Sequence, residues 1–144
     1  MTSLARLLLP LLLVAGCAAL PAPAMPACEY VGKQHLWFMQ TANTVSAGLS
    51  HPDSPAALGD NIATLRAIEA EVKAIQVSDD GQSLQTNTIL AIGRGISLLQ
   101  WLQSDGAAAA GTEAFEDDTV AFLSAMSDLS TEATVLFIKC EDTK

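Results

Sequence analysis

Four amphipathic helices joined by short turns, an all-α up-and-down bundle, form the fold that this 144-residue chain predicts. Three observations predict it. Apolar and small residues recur in alternating steps of three and four over separate stretches, the spacing that lines one face of a helix. Between the stretches stand helix stops at 48–52, at Ser78-Asp79-Asp80-Gly81 and at Ser104-Asp105-Gly106. Nothing reads as a strand pair.

In the first helix the seam runs through Cys28, Val31, His35, Phe38, Ala42, Val45 and Leu49. It ends where His51-Pro52 cannot continue a helix. The second helix opens with Ser54 as N-cap and Pro55 at the first helical position, where a missing N–H costs nothing. Its inner row is Leu58, Ile62, Leu65, Ile68, Val72 and Ile75, and its outer face carries Arg66, Glu69, Glu71 and Lys73.

The third helix, residues 82–103, has two adjacent apolar rows: Ile89, Ile92, Ile96 and Leu99, and Leu84, Ala91, Leu98 and Leu102. Arg94 is its sole charge, and Gly93 and Gly95 invite close approach. Wide core contact is the expectation. The uncharged surface around Leu90, Arg94 and Trp101 is the candidate partner face. Residues 107–111 read as a small-residue linker. The fourth helix carries Phe115, Thr119, Phe122, Met126, Leu129, Ala133, Leu136 and Cys140 inward. Glu113, Glu116, Asp117 and Asp118 crowd its start, where the helix dipole favours negative charge.

Ahead of the bundle lies a short basic start, then an apolar run from Leu7 to Val14. A membrane span needs about 20 residues, so the run reads as the core of an export signal. The residues Leu13-Val14-Ala15-Gly16-Cys17 resemble a bacterial lipobox. That resemblance implies removal of 1–16 and lipidation of Cys17 at a membrane facing the periplasm. The competing exit is Ala22-Pro23-Ala24, an ordinary cleavage pattern ending the signal at 24 and leaving a soluble periplasmic or secreted protein. The expected organisation is therefore a signal at 1–16 (or 1–24), a Pro/Ala-rich tether at 17–27 and a bundle domain at 28–144.

The chain carries 16 acidic residues against seven Lys and Arg, a net charge of −9, and loss of Arg6 with the signal makes it −10. No basic stripe exists to displace counterions from phosphates, which argues against nucleic acid. An anionic membrane surface would repel such a domain, so membrane attachment is expected through the lipid alone. With Cys17 lipidated or discarded, Cys28 and Cys140 remain as a pair in an oxidising compartment. Up-down-up-down topology brings their helix ends to one pole, where turn counting sets His35 opposite Ala133. A Cys28–Cys140 disulfide follows.

Candidate chemistry is sparse. His35 and Met39 stand four apart, a soft pair suited to copper(I), but two ligands are too few, and Met126 could add a third only if the helices were shifted by about a turn. A haem held by His35 and Met126 would need both at one level, which turn counting denies, and no C-x-x-C-H motif is present. His51-Pro52-Asp53-Ser54 holds the residue types of a hydrolase triad too close together to converge as one. Asp79-Asp80-Gly81 lacks the spacing of a calcium loop. There is no phosphate-binding glycine loop and no nucleophile elbow. No catalytic residue and no cofactor are expected. The leading expectation is a non-catalytic envelope lipoprotein that engages a protein partner. The alternatives are a ligand- or metal-binding bundle centred on His35 and Met39, or an acidic inhibitor or immunity-type protein.

Overall fold

A computed structural model describes residues 23–143. The signal segment, Cys17 and the first part of the tether fall outside the described residues. Four α-helices follow one another: α1 (Ala27–Leu49), α2 (Pro55–Ala74), α3 (Asp79–Asp105) and α4 (Glu113–Glu141), with a 3₁₀ helix at Gly106–Gly111 between the last two. The all-α four-helix bundle is thus the fold observed.

Helix ends follow local chemistry. Pro26 precedes α1, and Pro55 opens α2 as expected. Ser54 occupies the N-cap position, but its side chain makes no cap bond. Thr112 does cap: its Oγ1 accepts the Phe115 N–H at 3.3 Å. Asp79 and Asp80 fall in the first turn of α3, where the dipole favours them. Gly106 ends α3 with φ of 60°, a conformation that glycine adopts without strain.

Packing is centred on α3. It touches all three other helices, whereas α2 and α4 stay apart, so the bundle is closed along the α1–α3 diagonal. Small residues allow that closeness: a Cβ on Gly95 would stand 2.7 Å from Val45 Cγ2 of α1. Leu84, Ala91, Ile92, Ile96, Leu98, Leu99 and Leu102 are all buried, and Ile89 partly so, which is the wide core contact expected of this helix. On α2 the row from Leu58 to Val72 is buried as expected. On α4 Phe115, Phe122, Met126, Leu129 and Cys140 point inward.

The α1 seam is corrected. Its buried residues are Ala27, Tyr30, Val31, Gln34, Trp37, Thr41, Val45 and Gly48. Cys28, His35 and Leu49 are exposed, and Phe38 and Ala42 only partly covered. The face turned to the core is rotated by about one residue, because the bulky Tyr30 and Trp37 rings (5.6 Å between centroids) fill the centre. Gln34 and Thr41 are carried in with them.

Three boundaries also differ. The third helix is longer than the 82–103 expected, taking in Asp79, Asp80 and Gly81 of the stop and running on to Asp105. Met25 belongs to the folded unit: its N–H donates to the Gln76 carbonyl at 2.7 Å and its carbonyl accepts the Ser78 N–H at 3.0 Å. Residues 107–111 are the body of the 3₁₀ helix, held by Ala109, which is buried against the core. Cys28 and Cys140 form a disulfide with Cα atoms 5.6 Å apart, joining α1 to α4 across 112 positions of sequence.

Candidate functional site

Alternating steps of three and four occur twice on α4. The inner row packs into the core. A second row, Val120, Leu123, Ser127, Ser130, Thr134 and Phe137, is wholly exposed and uncharged. Leu123 is 60 % and Phe137 54 % exposed, and Ile138 beside them is similar. The apolar surplus of α4 is therefore turned outward: its most apolar 18-residue window has mean hydropathy 1.2, yet only 17 % of that window is buried. By length and composition alone such a helix could cross a membrane; here it packs on α1 and α3.

On α1 the flank facing α4 carries Gly32, His35, Met39, Ala42, Ser46 and Leu49, again without charge. Between the two flanks lies an open groove of about 460 Å³. Val31, Gly32, Gln34, His35 and Phe38 form one wall; Ser130, Ala133, Thr134 and Phe137 form the other. His35 and Ala133, set opposite each other by turn counting, thus line the same groove. Gly32 and Ala133 leave the gap open, since a Cβ at position 32 would meet nothing within 4 Å. The groove begins one turn from Cys28, at the pole where the disulfide and the Met25 backbone contacts gather the chain.

One residue of the α1 wall is an anomaly. Gln34 is 2 % exposed, and its Nε2 has no hydrogen-bond partner among the described residues. An amide nitrogen donates two hydrogen bonds and accepts none. A buried donor left unmatched costs about 1–3 kcal/mol. Thr41 on the same strip also holds an unpartnered hydroxyl. Burial raises the Tyr30 phenol above its ordinary value, and nearby Thr88 opposes part of that shift. The Thr88 hydroxyl itself donates to the Leu84 carbonyl at 2.7 Å.

The other predicted positions are dispersed. Met39 is exposed on α1 and outside the groove lining, and Met126 is buried in α4. Among the described residues, no three His, Cys, Asp or Glu side chains come together to hold an ion. His51 sits in the α1–α2 turn with Nδ1 donating to the Ala47 carbonyl at 3.1 Å. On α3, Leu90 is exposed, while Arg94 and Trp101 both turn to Asp118 of α4. The Trp101 Nε1–H donates to Asp118 Oδ2 at 2.8 Å, and Arg94 lies 3.8 Å from Oδ1. That face is partly engaged within the protein.

Turn counting brought His35 and Ala133, which line one groove, to the same pole of the bundle but missed Gln34, Ser130, Thr134 and Phe137. The signal available was the second uncharged row on α4, passed over because three of its six members are hydroxyl residues. No family model, characterised protein or solved structure matches the chain, so the chemistry of this face rests on its own geometry.

Proposed function

We propose that the protein is an exported, non-catalytic binding module of the bacterial envelope, tethered through Cys17 and working through its α1/α4 face. The observation that carries the reading is the exposed, uncharged row on α4 beside an apolar groove. A chain of net charge −9 presents such a row only at some cost in solubility, and large exposed apolar patches on soluble domains mark interaction sites. The expectation of an interaction module is kept, and its surface moves from α3 to α1/α4. Leu90, Arg94 and Trp101 become secondary, since Asp118 already engages two of them. The location of the groove at the pole nearest the tether supports action close to the membrane.

Site-specific photocrosslinking in intact cells tests this. A benzophenone side chain placed at Leu123, Ser130 or Phe137 is expected to capture adducts, and one at Leu90 or Trp101 is not. Adducts confined to Leu90 and Trp101 would return the binding surface to α3. Adducts at neither face would sink the binding reading.

A further inference from the structure

We infer that the exposed row of α4 lies on the surface of the bilayer that holds the Cys17 anchor, with Val120, Leu123, Phe137 and Ile138 entering the headgroup layer of a zwitterionic phospholipid. The inference rests on the reading of this face as the binding surface of a tethered protein and names what covers its α4 half. Reach is the first argument. Pro23, where the described chain begins, follows Cys17 by six residues, which span at most about 20 Å. Helix α4 alone, with 29 residues, is about 43 Å long. So short a tether keeps the bundle within contact range of the bilayer. Cys28, five residues past Pro23, is bonded to Cys140, so α4 shares the pole at which the tether leaves.

The second argument is the surface itself. Helix α2 turns Arg66, Glu71 and Lys73 outward, whereas α4 offers an uncharged row and keeps most of its apolar window in solvent. The Thr131 and Thr134 hydroxyls already donate to the Ser127 and Ser130 carbonyls at 3.0 and 2.8 Å, so these donors lose no partner when water is displaced. The third is charge. The row continues at each end into an acid four positions on, Glu116 before Val120 and Glu141 after Phe137. Along its edges Asp128 and Lys139 offset each other, and His35 of α1 adds no negative charge. A second copy docked antiparallel on the row would set Glu116 against Glu141 twice over. A protein partner is usually gripped by Trp, Tyr or Arg, and the row has none. An anionic surface would repel both acids. The ammonium groups of phosphatidylethanolamine instead meet those carboxylates, while the apolar side chains between them leave water.

The test takes the native protein from membrane fractions into vesicles of phosphatidylethanolamine and phosphatidylcholine. With Cys17 acylated and Cys28 bridged to Cys140, a cysteine introduced by Ser127→Cys, Ser130→Cys or Ala70→Cys (on the outer side of α2) is the one free thiol and takes a nitroxide label. Labels at 127 and 130 should collide several times more often with oxygen, relative to a water-borne nickel chelate, than the label at 70. Adding Leu123→Gln and Phe137→Gln, both at exposed positions, should abolish that excess. Replacing half of the phosphatidylethanolamine by phosphatidylglycerol should reduce it. Equal accessibility at all three labels, an excess that survives the two glutamines, or one that grows with phosphatidylglycerol would each overturn the inference. Acylated protein whose row stays in water while a benzophenone at Ser130 captures a protein in cells would remove the inference and leave the binding face standing. Native protein without an acyl chain would remove the tethered reading and the inference together.

Discussion

Gly93 and Gly95 stand two positions apart on α3 and meet opposite surroundings. A Cβ at 93 would touch nothing within 4 Å, whereas one at 95 would press on Val45 and Phe122. Gly93→Ala should therefore gain about 0.5–1 kcal/mol from helix propensity alone. Gly95→Ala should lose about 1–2 kcal/mol, because overpacking beside a stiff β-branched neighbour outweighs the same gain. Urea titrations of the two variants check both signs. Gln34→Met should be neutral or stabilise by about 1 kcal/mol, since it removes an unmatched donor while keeping volume. Thermal unfolding reads this out. Tyr30 gives the pH dependence. Its phenol is raised above the ordinary value of 10.0 by burial, so the native state holds the proton more tightly than the unfolded chain. Its contribution to stability is fully present below pH 10 and is lost as pH rises toward the folded value. Tyr30→Phe should flatten that alkaline loss, measured as the urea midpoint against pH.

Among the elements, α1 and α4 carry the covalent closure and the groove together. Their disulfide closes a loop of more than 100 residues, for which the chain-entropy model gives about 4–5 kcal/mol as an upper value. Reduction, or Cys28→Ser with Cys140→Ser, should lower stability by about 2–5 kcal/mol, read as a shift in the urea midpoint. Hydrogen exchange should rise first in the last turns of α4, where Val135, Phe137, Ile138 and Lys139 already lie exposed. The centre of α3, packed on all three neighbours, should exchange last. The rotation of α1 shows why one face of a helix is hard to read from spacing alone. Cys28-Val31-His35-Phe38 and Tyr30-Gln34-Trp37-Thr41 both alternate three and four. Only the neighbours decide that the second row, polar members included, turns to the core.

For the whole molecule, the prediction concerns address. The proposed lipid anchor predicts that the native protein from membrane fractions begins at an acylated Cys17, with free thiols appearing only after reduction. Intact mass spectrometry checks this. A soluble species beginning at Met25 would replace the tethered reading with a freely diffusing one and would also place the cleavage directly beside the Met25 contacts with Gln76 and Ser78. The bundle itself was largely legible: four periodic stretches, three stops and two cysteines at matching ends lead to this topology. The groove was legible only in part. His35 and Ala133 could be set level by counting turns, but the gap between their helices depends on Gly32 and Ala133 being small and on how α4 rolls.

What the sequence by itself determined is whatever local spacing and local chemistry control: helix number, approximate ends, the inner rows of α2, α3 and α4, and the pairing of Cys28 with Cys140. These follow from hydrophobic periodicity, proline and glycine stops, and the polarity of up-and-down topology. Only the tertiary structure decided which of two equivalent rows on α1 turns inward, that α1 and α3 close across the diagonal, and that α4 keeps a second uncharged row in solvent. Each of these depends on volumes meeting across helices far apart in the chain. The same is true of Gln34, whose lack of a partner exists only once Tyr30 and Trp37 have carried it into the core.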